Sequence, residues 1–196
     1  MIIASQKKKE NIAEYLLYMW QIEDIIRAYG LDIDQIQKHI INSYDFPEEQ
    51  KKSMREWYES LIDMMHSEGV EKKGHLQLNK NVLIDLTDLH LRLLKSTREP
   101  FYGAAFFKTL PYIVELRAKS GEGKTGELET CFNALYGVLL LRLQKKEIQS
   151  DTLKAIQQIS TFLSILAEKY KQEKAGELEL ESLSYTQLPL PRTKKL

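Results

Sequence analysis

Cysteine is nearly absent: one residue, Cys131, among 196 leaves no intramolecular disulfide to hold the fold together. Long apolar runs are absent too, and the stretch at residues 137–141 falls far short of the roughly 20 residues that cross a bilayer. Neither sign of charge is in excess. The 28 basic and 28 acidic side chains cancel, so no bulk field draws the chain to nucleic acid, to an anionic membrane or to an acidic substrate. Lys7, Lys8 and Lys9 follow a very short apolar patch, the reverse of the order in a signal peptide. No repeat at a period of 20 to 50 residues is visible. These absences predict a soluble, cytoplasmic protein with no membrane or nucleic-acid partner.

What remains is a helical vocabulary of Leu, Ile, Lys, Glu and Gln, with nine glycines and five prolines falling mostly between periodic segments. The spacing predicts about seven helices. The first covers residues 5–29, capped by Gly30, and Asp32 opens a short second one over 33–43. Pro47, followed by Glu48 and Glu49 near the positive end of a helix dipole, starts a third that Gly69 stops. A charged loop at 70–75 precedes a fourth helix over 76–96. After Pro100 comes a fifth over 102–117, with a kink expected at Pro111. A glycine-rich polar segment at 119–126 leads to apolar-faced helices over 128–146 and 151–171. The fold class is all-α: a compact multi-helix bundle forming one domain over residues 1–173, long enough to bury a real core. Residues 174–196, with Leu178, Leu180 and Leu183 among acids and then Pro189 and Pro191, read as a C-terminal tail, flexible or packed on the body.

The opening Met1-Ile2-Ile3-Ala4, continued by Gln6-Lys7-Lys8-Lys9-Glu10-Asn11-Ile12-Ala13-Glu14-Tyr15-Leu16-Leu17-Tyr18-Met19-Trp20-Gln21-Ile22-Glu23-Asp24, resembles the start of a family of small Bacteroidetes proteins known only as domain of unknown function 4924. The resemblance implies a helical fold and a bacterial source. It implies no activity, cofactor or catalytic residue.

Several constellations invite a chemical reading. Ala118-Lys119-Ser120-Gly121-Glu122-Gly123-Lys124-Thr125 satisfies the loose form of a nucleotide-binding loop, in which Lys124 would reach the β/γ-phosphates and Thr125 would hold magnesium. Such a loop needs a buried strand before it and a second strand ending in aspartate. The surrounding pattern is helical, so nucleotide binding is a remote alternative. Glu59, Asp63 and His66 share one helix face, as a bundle metal site requires. Met54, Trp57, Leu61, Met64 and Met65 define the opposite, apolar face, so the three should meet water, and no metal site is predicted.

Glu23 falls inside the apolar arc of Ile12, Leu16, Met19 and Ile26, where an unpaired charge would cost several kcal/mol. An i, i+4 pair with Arg27 is the simplest remedy, and a polar ligand contact the sharper one. His90 sits among Val82, Leu83, Leu86, Leu93 and Leu94, which suits a hydrogen-bonded core histidine. Asp85 belongs to a polar stripe with Asn81, Asp88 and Arg92. The segment Phe101-Tyr102-Gly103-Ala104-Ala105-Phe106-Phe107 reads as core, and Cys131 as buried and inert.

With no cofactor and no catalytic set called for, the chain is expected to be a non-enzymatic bundle acting through protein–protein association, as a homo-oligomer or adaptor. The motive is apolar residues around more of the first and fourth helices than one core face requires. The alternative is a small-molecule-binding or enzymatic bundle in which Glu23, Arg27, Asp85 and His90 converge on an interior polar pocket.

Overall fold

The computed structural model describes residues 2–121 and 125–180. They form eight α-helices and one 3-10 helix, with no strand among the described residues. In chain order the helices are α1 (Ile2–Glu10), α2 (Ile12–Ala28), α3 (Ile33–His39), α4 (Glu48–Glu68), α5 (Gln77–Lys95), α6 (Pro100–Ser120), α7 (Glu127–Leu143) and α8 (Ser150–Lys174), with the 3-10 turn Ile41–Ser43 after α3.

The first helix expected from sequence is two helices. The Asn11 side chain accepts from the N–H groups of Ala13 and Glu14, capping α2 at its first turn and setting the break. Asp32 caps α3 in the same way. The end of α4 is fixed by Gly69, whose φ of 67° no branched side chain adopts without strain; Val70 then donates back to the Met65 carbonyl and buries its side chain. Pro100 is the first residue of α6 rather than a separator, as suits a residue with no N–H to satisfy. α6 continues through Pro111, which is exposed on the side turned away from the bundle.

α8 is the central element. It packs against α2, α5, α6 and α7, and buries Ile159, Phe162, Leu163 and Leu166 at helical spacing. α4 closes the core from the α3 side with Met54, Tyr58, Leu61 and Met65. The segment 101–107 is only half core. Tyr102, Phe106, Thr109 and Ile113 are buried, whereas Phe101 is 87% and Phe107 66% exposed. Steps of four, three and four residues return to one helix face; Phe101 and Phe107 lie about 100° to either side of it and cannot share it. Beyond α8, Leu178 and Leu180 pack against the core. No helix among the described residues is long and apolar enough to cross a membrane.

Candidate functional site

One face of α2 presents Trp20, Glu23, Asp24 and Arg27, spaced so that all four look toward the loop joining α4 to α5 and toward α7. Glu23 is completely buried. One of its oxygens accepts from His75 Nδ1 at 2.6 Å; the other accepts from the Leu76 N–H at 2.9 Å and from the Asn79 amide at 2.7 Å. These donors belong to the start of α5, where the capping residue Leu76 has no side-chain oxygen to offer. The carboxylate of α2 therefore caps α5 in trans, at the positive end of its dipole. Glu68, near the end of α4, does the same for the Gln77 N–H at 2.6 Å.

Arg27 does not pair with Glu23. Its guanidinium donates to Asp24 at 2.9 Å, to the Val70 carbonyl at 3.0 Å and to the Gly74 carbonyl, strapping the loop onto α2. Gly74 sits at a φ of 88°, which a residue without a Cβ adopts freely. Asp24 also accepts from the Tyr136 hydroxyl of α7 at 2.6 Å, and burial together with that carboxylate pushes the Tyr136 hydroxyl up from its usual range.

The His75 ring is stacked on Trp20, centroids 4.2 Å apart and planes 14° from parallel, with its side chain one-third exposed. Phe132 and Tyr136 meet the same indole edge-on. In the neutral imidazole the contact with Glu23 places the proton on Nδ1 and leaves the Nε2 lone pair, and Nε2 has no hydrogen-bond partner among the described residues. These groups wall a cleft of about 580 Å³ between α2, the α4–α5 loop, the end of α6 and α7. Two buried donors on its lining residues, Trp20 Nε1 and Arg27 Nε, lack an acceptor among the described residues. At the rim, Lys72 and Lys73 are exposed and make no salt bridge among the described residues. Arg27 and Asp24 offset one another, so the exposed rim of the cleft takes its positive charge from Lys72 and Lys73.

The residues singled out from sequence do not all meet here. Glu23 and Arg27 do. Asp85 is exposed midway along α5. His90 lies 11 residues beyond Asn79, about 16 Å farther along the helix axis. There its Nδ1 meets the Tyr102 hydroxyl at 2.6 Å among the rings of Phe106 and Phe162, and burial lowers its pKa. On α4, Asp63 and His66 face solvent and Glu59 is held by Arg55. Of the loop at 118–125, Ala118 and Lys119 belong to α6 and Thr125 is half-buried; Lys124 lies outside the described residues. Sequence reasoning missed His75 and Asn79, and it placed no role on Trp20, Asp24 or Tyr136. The spacing of Trp20, Glu23, Asp24 and Arg27 on one face was the signal present.

A family model described as "Domain of unknown function (DUF4924)" matches residues 1–177. No curated protein and no solved structure matches the chain.

Proposed function

The chain belongs to that family, whose description names no activity, and we propose that it binds a small organic anion in the cleft between α2 and α7. One observation carries this: two cleft-lining residues, Trp20 and Arg27, each hold a buried donor, Nε1 and Nε, with no acceptor among the described residues, and the rim of the cleft holds Lys72 and Lys73. A buried N–H without a partner costs roughly 1–3 kcal/mol, and an anionic oxygen relieves that cost where an apolar group cannot. His75 Nε2 adds an acceptor for a hydroxyl or amine on the ligand, and the Trp20–His75 stack is a flat wall for a planar part of it. The volume suits a drug-sized or smaller molecule.

Binding, rather than turnover, is what this geometry supports. The Thr130 hydroxyl on the lining donates to the Gly126 carbonyl and the Tyr136 hydroxyl to Asp24, so neither is presented as a nucleophile. The setting proposed for this binding is the cytoplasm of a bacterium of the Bacteroidetes, on the resemblance of the first 24 residues. Titration with citrate and pyrophosphate, read by quenching of tryptophan fluorescence, tests the proposal. Binding should weaken at least about tenfold when Lys72 and Lys73 are both changed to Ala. Trp20→Phe, which keeps the ring and removes the N–H, should weaken it less. If a panel of carboxylates and phosphates neither quenches the wild type nor raises its melting temperature, and native mass spectrometry shows no retained ligand, the proposal fails.

Association, the other function expected from sequence, is favoured by a different surface.

A further inference from the structure

α6 carries a second apolar face that the fold does not use. Pro100, Ala104, Phe107, Pro111, Val114 and Ala118 are all exposed, Phe107 at 66% and Val114 at 56%. Their spacings alternate four and three residues along the whole helix, which is the seam of a coiled coil rather than scattered surface apolarity. The seam lies on the side of α6 opposite Tyr102, Phe106 and Ile113, which bind it to the bundle. Packing against α5, α7 and α8 therefore leaves it free.

We infer that this face is where two copies of the chain associate, α6 against α6 in antiparallel fashion about a two-fold axis. Self-complementarity picks this occupant. An isologous helix pair requires every group on the seam to meet a suitable group on the same helix read backwards. With Val114 of one copy layered on Pro111 of the other, Phe107 falls on Ala118, so the large ring meets the small residue at both ends of the pair. The same register places Lys108 of each copy opposite Glu115 of the other, at the flanking positions where charges set orientation. Lys108 makes no ion pair among the described residues, while Glu115 is exposed and engaged only by Lys119 one turn on. A parallel pair would set Lys108 against Lys108.

The length of α6, 21 residues, corresponds to about 31 Å. In this register residues 105–120 of the two copies overlap over about 24 Å, and two strips of that length about 10 Å wide bury on the order of 500 Å² in total, the size of a weak, transient contact. The ligand cleft faces another way, so the two properties are separable.

Sedimentation velocity over 2 to 200 µM protein is the test. The wild type should pass from monomer to dimer in this range. Phe107→Glu, at a position that contributes little to the core, should stay monomeric throughout with an unchanged circular dichroism spectrum. Lys108→Glu should weaken the dimer about tenfold or more, and combining it with Glu115→Lys should restore it, because the reversed pair is again complementary. A wild type monomeric at 200 µM overturns the inference. So does a dimer indifferent to Phe107→Glu, or a double charge reversal no tighter than Lys108→Glu alone, since either places the contact elsewhere.

Discussion

Replacing Glu23 separates its charge from its shape. In Glu23→Ala, the Leu76 N–H, the Asn79 amide and the His75 N–H lose their acceptor together, and the first two are buried to within 1% of complete. Each orphaned donor costs roughly 1–3 kcal/mol, but the loop relaxes and the terms are not additive, so about 3–5 kcal/mol is expected in total. Glu23→Gln keeps a carbonyl oxygen for Leu76 and Asn79 and turns its amide to His75. It loses only the charge assistance and the dipole contact, about 1–2 kcal/mol. At this chain length the two variants should melt roughly 10 °C and roughly 3–6 °C below the wild type. Urea unfolding followed by circular dichroism gives the same difference, with the dependence on denaturant unchanged if both fold alike. The amide has a second consequence. An NH₂ group facing His75 Nδ1 needs an acceptor there, so the imidazole must move its proton to Nε2. Nitrogen-15 NMR of the neutral ring should show the Nδ1–H tautomer in the wild type and the Nε2–H tautomer in Glu23→Gln. Equal destabilisation by Ala and Gln, or an unchanged tautomer, would refute the role given to Glu23.

His90 predicts a pH effect. Burial holds its folded-state pKa below that of the unfolded chain, near 6.5, so the unfolded state takes up the proton first. Its contribution to stability is therefore complete above about pH 6.5 and declines as the pH falls below that value. His90→Asn, which can still pair with Tyr102, should have a flatter stability profile than the wild type between pH 7 and 5 in paired urea titrations; parallel profiles would rule the account out. Asn11→Ala should cost about 1 kcal/mol through loss of the α2 cap, while Asn11→Asp should be nearly neutral; equal losses would deny the side-chain oxygen its part.

Periodicity made the helices legible because each needs only local information: a cap, an apolar face and a stop. Asp32, Pro47 and Gly69 mark the boundaries the structure uses. Asn11 is an equally good cap, but it lies inside a run that stays apolar and helical on both sides, and the longer helix absorbs it. The segment 101–107 shows the opposite failure. Apolar composition suggests burial for all of it, though the 3.6-residue period admits only Tyr102 and Phe106 of its four aromatic residues to the core face. At the site, the sequence placed Glu23 in the interior correctly and then supplied its nearest opposite charge, Arg27. The partner is instead His75, 52 residues away in a loop without periodicity, and no spacing rule reaches that far.

The choice between those partners follows from helix ends. An arginine on the same helix can approach Glu23 only along the surface of α2, while the start of α5 needs buried acceptors and has Leu76 where a capping side chain would stand. Buried N–H groups outcompete a guanidinium that has carbonyls of its own to bind, and Arg27 is released to strap the loop at 70–74. That division of labour places the cleft wall and the docking of α5 on one carboxylate. A ligand contact at His75 is thereby one hydrogen bond from the α5 terminus, and anion binding should slow exchange of the Leu76 N–H and of the Asn79 side-chain amide before it slows exchange anywhere on α6.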